Sequence, residues 1–271
     1  MRNFRAVAAS LTVLIGAVGA LQAQNTTYWE GELTLRGARL PVRLAIQGQP
    51  GHRGVRLDLP TMLMAWEPLG TTDTLGRLRV EFPFGLGALD VTPAGRLIAS
   101  SAPFGADGRD TLRLRVARAP APPYTLEEVR FRSGDVTLAG TLVLPSSGGP
   151  HPAMVLVHGS GNVDRRQWEY RSQADFLARQ GFAAFIYDKR GVGESGGAWW
   201  EADEGFADLA ADVLAAVSFV RARPDIRANR IGLLGGSQAG WVMVRAASTS
   251  RDVAFLVLES APAISPAEQE I

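Results

Sequence analysis

Ser237 is the residue whose neighbours most clearly suggest chemistry. It stands in Gly235-Gly236-Ser237-Gln238-Ala239, after an apolar run and before a helical pattern. A serine on such a tight strand-to-helix turn presents its hydroxyl at the carboxyl edge of a sheet, where ligands bind. The residues two positions to either side must be small to clear the neighbouring strands, and Ala239 replaces the more usual glycine. The spacing predicts a nucleophile at Ser237; the alternative is a glycine-rich connection with an incidental serine.

A second segment, His158-Gly159-Ser160-Gly161, lies at the end of another apolar run. Acyl transfer places negative charge on a carbonyl oxygen, and backbone N–H donors have to meet that charge. We expect the N–H groups of Ser160 and Gln238 to supply this oxyanion hole. His158 precedes the turn, so we interpret it as a buried structural histidine, because a base for the serine has to reach it from a late loop.

The segment Asp188-Lys189-Arg190-Gly191-Val192-Gly193-Glu194-Ser195 closes a third apolar run. Its glycines resemble a phosphate-binding loop, but no helix starts directly after them and the Walker spacing is missing. We interpret Asp188 and Arg190 as residues that pin the loop, with direct substrate contact as the alternative. Ser195 is predicted to be a turn or capping residue rather than a second nucleophile.

The elements that must position these residues occupy the second half of the chain. Continuous apolar runs predict strands at 154–157, 183–187, 231–234 and 255–258. Helical periodicity follows the first three, near 167–180, 206–223 and 238–248. Apolar runs that alternate with helices predict a parallel sheet with helices on each face. A hairpin around Ser133-Gly134-Asp135 is predicted to precede them.

The first half, residues 24–118, shows short alternating segments and no helical period. This pattern predicts a small antiparallel sheet or a partly closed barrel, with Gly70 among the turn residues that separate its strands. His52 and Arg53 are interpreted as part of a solvated loop. The proline-rich stretch at 119–124 predicts a stiff linker, so the second domain is expected to span 125–271.

Residues 1–23 have the features of a secretory signal peptide. Arg2 and Arg5 precede an apolar run that ends at small residues. We expect cleavage after Ala23, with Ala20 as the alternative, and an exported mature protein in the periplasm or the medium. The run is short and rich in alanine and glycine, so no stable membrane span is expected after cleavage; the alternative is an uncleaved anchor.

Composition excludes several classes of protein. The chain has 28 basic and 27 acidic residues, a formal charge of +1, and this balance argues against a nucleic-acid partner. Cysteine is absent, which excludes disulfides, thiolate metal sites and a cysteine nucleophile. Histidine occurs at three positions, His52, His151 and His158.

The segments around Ser160, Asp188 and Ser237 resemble, in order, those of exported bacterial α/β-hydrolases of the serine aminopeptidase/esterase type. The resemblance covers about 125–271, and the opening Trp29-Glu30-Gly31-Glu32-Leu33 is similar to the β domain that such esterases carry. It implies an α/β-hydrolase sheet in which Ser237 is acylated and Ser160 and Gln238 donate to the oxyanion. It implies no metal and no organic cofactor.

The sequence leaves the substrate open. A small-molecule ester is the expected substrate, because ester hydrolysis is the usual activity of the family that the sequence resembles. Short-peptide cleavage and acyl transfer are the alternatives, since they share every motif. Four tryptophans near the site segments are candidates for the substrate pocket, with packing under a lid as the alternative: Trp168, Trp199, Trp200 and Trp241. The competing class is a non-catalytic exported protein whose β domain binds a ligand.

The residues needed to activate the serine are the open question. In this fold the partners follow in the order serine, acid, histidine, and no histidine follows Ser237. Glu259 is a candidate acid, although the acid comes more often one strand later. We therefore expect a sheet truncated after the strand that follows the nucleophile helix, and a fragment that is inactive by itself. The intact gene is expected to add well over about 80 residues, with an Asp or Glu and then a His among them.

Overall fold

The computed structural model describes residues 26–62, 64–74, 77–83, 86–93, 97–104, 110–198 and 205–262. The proposed signal segment and the residues after 262 lie outside this range. The chain divides between Ala121 and Pro122 into two compact units. The second unit carries the candidate site.

The second unit begins with the predicted hairpin and continues as alternating strands and helices. Gly134 turns the hairpin with a positive φ of 56°. The strands are β9 (Tyr124–Ser133), β10 (Val136–Pro145), β11 (His151–Val157), β12 (Ala183–Tyr187), β13 (Ile226–Gly236) and β14 (Phe255–Glu259). The helices are α1 (Trp168–Arg179), α2 (Gly205–Arg221) and α3 (Ala239–Thr249). The predicted strands and helices of this half are therefore confirmed, with bounds that differ by a few residues.

Among the described residues these strands form one mixed sheet in the order β14-β13-β11-β12-β10-β9. Strands β12, β11, β13 and β14 are parallel, whereas β10 runs antiparallel to β12 and to β9. The chain crosses from β11 to β12 on one side and then to β13 on the other. Ligand sites of open α/β sheets lie at such a switch, outside the carboxyl ends of the strands.

The central strands are buried on both faces because helices cover each side. Val155 and Val157 of β11 share a core cluster with residues of α2 and α3, among them Val213 and Met243. Met154 and Leu156 alternate with them and are also buried, so they point to the opposite face. Helix α1 packs on β10, β11 and β12. Burial on both faces explains why these strands read as continuous apolar runs.

The first unit is antiparallel in its described part, as its alternating pattern predicts. The strand order is β6-β5-β4-β3-β2-β1-β8-β7, with a 3-10 turn at Pro60–Met62. Inward residues alternate with exposed ones, as in β5, and the inward set forms a separate core around Trp29. The strands are β1 (Thr26–Leu35), β2 (Ala38–Gln47), β3 (Gly54–Leu59), β4 (Met64–Thr74), β5 (Arg77–Phe82), β6 (Gly87–Asp90), β7 (Leu97–Phe104) and β8 (Asp110–Ala119).

Two expectations for the first unit are wrong. Gly70 does not separate strands: it lies inside β4, opposite Glu81 of β5. Arg53 is not solvated, because its side chain is 8% exposed and forms an ion pair with Asp73 of β4. One Asp73 oxygen also accepts from the backbone N–H groups of Gly51 and Arg53. The pair thus ties the β2–β3 turn to β4. His52, in the same turn, is exposed as expected.

Candidate active site

Ser237 lies on a sharp turn between β13 and α3. Strand β13 ends at Gly236, and Ser237 follows with a φ of +54°, in the left-handed region that a side chain rarely adopts. Its N–H donates to the Glu259 carbonyl oxygen at 3.3 Å, and its own carbonyl accepts from Gly240 at 2.9 Å. These two bonds hold the strained backbone, and the Ser237 side chain is exposed.

Close packing explains why small residues flank the serine. A Cβ added to Gly235 would lie 2.5 Å from the carbonyl oxygen of Val157 and 2.7 Å from the Cβ of Ala239. The elbow therefore sits against the end of β11 with no room for a side chain. Ala239 fits because the position opposite it is a glycine.

The serine opens onto a pocket at the carboxyl ends of β11 and β13. The pocket has a volume of about 310 Å³. Its lining brings Ser160 together with three predicted site residues that lie much later in the chain, Ser237, Gln238 and Trp241. Residues 260–262 form the remaining wall and were not identified from the sequence.

The segment after β11 brings the first predicted oxyanion donor to the serine. A Cβ built on Gly159 would lie 3.9 Å from the Ser237 Cβ, so this loop is in contact with the elbow. The N–H of Gly159 is occupied, because it donates to the Tyr170 hydroxyl at 3.1 Å. Within the described part of the chain, the N–H groups of Ser160 and Gln238 have no acceptor. The residues that carry these two unbonded donors line the same pocket as Ser237.

Lys189 is a site residue that the sequence did not single out. Its ammonium donates to the carbonyl oxygens of Gly159, at 3.0 Å, and Gly161, at 3.3 Å, and to Oε1 of Gln238, at 3.0 Å. Burial lowers the pKa of Lys189 to about 8. The one sequence feature that could have pointed to Lys189 is composition, because it is the single lysine in a chain that otherwise uses arginine.

His158 is buried, as predicted. Its Nε2 lies 2.6 Å from the Tyr187 carbonyl oxygen and donates to it. The ring packs edge-on against Tyr187 and Tyr170. Burial lowers the pKa of His158 to about 4, so the ring is neutral at physiological pH. His151 opens β11, at the opposite end of the parallel sheet from Ser237, and its Nδ1 faces the Gly181 carbonyl oxygen.

Glu259, the candidate acid, ends β14 beside the elbow. Its backbone oxygen accepts from Ser237, and a Cβ on Gly236 would lie 2.9 Å from that oxygen. Its carboxylate is exposed and accepts from Gln173 at 3.0 Å. The main chain of Glu259 therefore supports the elbow, while its side chain is turned to α1.

The segment after β12 is pinned by its own charged residues. Asp188 is buried, accepts from the Arg165 and Glu194 N–H groups at 2.9 and 2.8 Å, and pairs with the Arg165 guanidinium. Arg190 pairs with Asp212 of α2 through two bonds of 2.7 Å. Both arrangements agree with loop-pinning roles.

Ser195 belongs to the same pinned segment. Its hydroxyl donates to the Asp188 carbonyl oxygen at 2.8 Å and accepts from the Ala139 N–H at 2.9 Å. Ser195 is buried by this turn. The geometry fits the predicted turn residue and leaves the hydroxyl no role as a nucleophile.

The structure separates the four tryptophans. Trp241 lines the pocket and packs edge-on against Phe206 of α2, with ring centroids 5.5 Å apart. Trp168 begins α1, is 48% exposed and is not among the residues that line the pocket. Trp199 and Trp200 lie outside the described residues.

The described ranges lack two further features. No three histidine, aspartate or glutamate side chains there converge as metal ligands would. No helix in that part of the chain is both long and apolar enough to cross a bilayer.

The strand order and the elbow together define the class of the second unit: it is an α/β-hydrolase. Residues 148–270 match the family model described as serine aminopeptidase, S33.

Similar proteins share the same region. An uncharacterized protein, YfhR of Escherichia coli K12, is 30% identical over 120 residues, 44% of this chain and 40% of that protein. Thiohydrolase aneE of Aspergillus aculeatus is 30% identical over 134 residues, 49% of this chain and 41% of that protein. The matches thus span less than half the length of these relatives. The solved structure of the α/β hydrolase GrgF from Penicillium sp. sh18 is 24% identical, with a TM-score of 0.46 over 51% of this chain and 46% of that one.

Proposed function

We propose that this protein is a serine hydrolase that acts on carboxylic esters through an acyl-enzyme on Ser237. One observation carries the proposal. An exposed serine with a strained φ of +54° shares a pocket with two backbone N–H groups, of Ser160 and Gln238, that have no acceptor among the described residues. Donors left unbonded beside a nucleophile suit the oxygen that becomes charged in acyl transfer.

The proposed reaction has two steps. The Ser237 Oγ forms a bond to the carbonyl carbon of the ester while its proton passes to a base. The carbonyl oxygen becomes an oxyanion and accepts from the N–H groups of Ser160 and Gln238. The intermediate then collapses, and the alcohol leaves with the proton from the base. Water repeats the sequence on the acyl-enzyme and releases the carboxylic acid.

Neither histidine in the described part of the hydrolase unit is placed to act as the base. His158 donates its Nε2 proton to the Tyr187 carbonyl, and its pKa is about 4. His151 lies at the other end of the sheet. A base with so low a pKa accepts few protons at neutral pH, so His158 is a poor general base as well as a misdirected one. We therefore propose that the chain of 271 residues, assayed as such, does not turn over esters.

The pocket suits a small substrate. Its volume of about 310 Å³ and the indole of Trp241 fit a short acyl group or a small aromatic one. The same chemistry would also serve two other reactions: cleavage of a short peptide, and transfer of the acyl group to an acceptor other than water. The thiohydrolase name of one relative adds thioesters to the substrates worth testing.

Chemical rescue tests the proposal, because a small base in solution can replace a missing side chain. The chain is incubated with a p-nitrophenyl ester, the corresponding thioester and an aminoacyl p-nitroanilide, each with and without imidazole. We expect a burst of p-nitrophenolate only with imidazole, and none from Ser237→Ala. Ester turnover without imidazole would refute the proposed inactivity.

A non-catalytic binding protein is the competing class, and the same assay separates the two. A binding protein would show no imidazole-dependent burst from any of the three substrates. An equal burst from the wild-type chain and Ser237→Ala would also favour it, since the reaction would then be that of imidazole alone.

We further propose that the protein is exported. The support is the sequence of residues 1–23, with two arginines before an apolar run and a small-residue exit. A periplasmic or secreted hydrolase would meet small esters and short peptides that enter from outside.

A further inference from the structure

The single lysine of the chain occupies an unusual place. Lys189 is the second residue after β12, is only 4% exposed, and directs its ammonium between the loop after β11 and the elbow after β13. All three acceptors recorded for the ammonium, on Gly159, Gly161 and Gln238, are neutral oxygens of backbone or amide groups. Lysine is seldom buried without a carboxylate, because its charge is costly to remove from water. A buried cation that binds only neutral oxygens calls for an explanation.

The bond to Gly159 determines the direction of the neighbouring N–H. The peptide between Gly159 and Ser160 is planar and trans, so its C=O and N–H point in opposite directions. The Gly159 oxygen is held by Lys189 at 3.0 Å. The Ser160 N–H therefore points away from Lys189, and Ser160 lines the pocket together with Ser237. A cation on the carbonyl also polarises the peptide and makes its N–H a stronger donor.

The third bond reaches the other side of the site. Oε1 of Gln238 accepts from the same ammonium at 3.0 Å. Gln238 is the residue whose N–H is the second unbonded donor. One ammonium thus joins the two loops that supply the two donors.

We propose that Lys189 is a positioning residue that assembles the oxyanion hole, turning the Ser160 N–H toward the substrate and fixing Gln238 beside it. This inference rests on the proposed function, since it assigns Lys189 a part in the same reaction. Lys189 does not touch the reacting atoms. It acts through the carbonyl of Gly159 and the side chain of Gln238.

The sequence permits an NMR test at single residues. The dipeptide Gly-Ser occurs twice, at 159–160 and 236–237. Labelling glycine with 13C at the carbonyl and serine with 15N therefore gives cross-peaks for Ser160 and Ser237 alone. Lys189→Met removes the ammonium and keeps most of the side-chain volume. Arg166→Met, which removes an exposed cation from the β11–α1 connection, is the matched control.

In Lys189→Met we expect the Ser160 cross-peak to shift while the Ser237 peak stays in place, because the Ser237 N–H is held by Glu259. Neither peak should move in Arg166→Met. An unchanged Ser160 peak in folded Lys189→Met would overturn the proposal. Equal shifts of both peaks would also overturn it, because they would indicate a general structural role.

The wild-type chain provides a measurement that does not depend on the variant folding. With 15N-lysine and 13C-carbonyl glycine, the lone ammonium should exchange slowly with water and show through-hydrogen-bond couplings to glycine carbonyls. A rapidly exchanging ammonium without such couplings would contradict the bonds on which the proposal stands.

Acylation in imidazole connects the geometry to function. We expect Ser237 to be acylated at least about tenfold more slowly in Lys189→Met than in the wild type or Arg166→Met, since an oxyanion donor is lost or misaligned. Equal rates would overturn the positioning role. If the wild type is not acylated at all, the proposed function fails, while the NMR results still decide whether Lys189 orients the Ser160 N–H.

Discussion

At the scale of single residues, the candidate site depends on backbone N–H groups beside Ser237. The Lys189 ammonium and the close packing around Gly235 hold the segments that carry them in place. The motif around Ser237 is local, so the sequence could predict the elbow with Gln238 beside the serine, and Ser160 was predicted from a second local segment at 158–161. Lys189 could not be found in this way. Its importance arises from three acceptors that lie 28, 30 and 49 positions away in the chain, and no spacing in the sequence reports such a convergence.

Gly235 offers a stability test of the elbow. We expect Gly235→Ala to lower the free energy of unfolding of the hydrolase unit by about 1–3 kcal/mol, because the new methyl would overlap the Val157 carbonyl and Ala239. Gly159→Ala is the control, since its Cβ would meet only ordinary contacts at 3.6 Å or more. Urea unfolding followed by tryptophan fluorescence measures both. Equal losses from the two variants would contradict the close packing of the elbow.

His158 predicts a pH dependence of stability. The folded unit holds the pKa near 4, whereas an unfolded histidine titrates near 6.5. The unfolded state therefore binds more protons between these values, and stability falls as the pH is lowered through them, by about 3 kcal/mol in total. In His158→Gln, whose amide can still donate to Tyr187, this part of the pH dependence should disappear.

The check on His158 is a series of urea titrations of both proteins between pH 7.5 and 4. A constant difference between wild type and variant over that range would show that His158 titrates normally in the folded protein.

At the scale of elements, the sequence predicted the buried parallel strands well and the antiparallel ones in part. A strand such as β12 is apolar on both faces because helices cover both, so it stands out in the sequence. The alternating segments that predict strands in the first half lie at 32–35, 40–46, 55–59, 78–82 and 112–116, and none of them falls in β4, β6 or β7. Most of β4 is exposed or half-buried and it contains Pro68 and Gly70, which are typical of turns. Its strand character depends on pairing with β3 and β5, which is a long-range effect.

The Arg53–Asp73 pair gives a prediction for the first unit. Hydrogen bonds from the Arg53 side chain hold the pKa of Asp73 well below its usual range. Its stabilising contribution is thus present above the unfolded pKa of about 3.9 and is lost as the pH falls toward the folded value. We expect Asp73→Asn to lower the midpoint of urea unfolding at pH 7, and the difference from wild type to shrink below pH 4.

The matched control for Asp73 is Glu30→Gln. Glu30 forms an exposed ion pair with Arg43, and exposed pairs contribute little. We expect no measurable change in its unfolding midpoint. If Asp73→Asn behaved like Glu30→Gln at pH 7, the buried pair would not be what ties the turn to β4.

At the scale of the whole molecule, the sequence indicated two bodies of different class, and the structure divides the chain between Ala121 and Pro122. The export proposal belongs to this scale. N-terminal sequencing of the protein recovered from the periplasm or the medium should begin at Gln24, or near Leu21 for cleavage after Ala20. Recovery of a chain that keeps Met1 in the membrane fraction would contradict export by signal cleavage.

We propose that Ser237 is the nucleophile of an oxyanion-hole hydrolase, and that neither His151 nor His158 is placed to act as its base. Mass spectrometry of the chain after incubation with p-nitrophenyl acetate tests it most directly. We expect one acetyl group on the chain, mapped to Ser237, which forms in the presence of imidazole and forms at least about 10²-fold more slowly without it. Acetylation spread over several hydroxyl groups, or equal acetylation of Ser237 with and without imidazole, would contradict it.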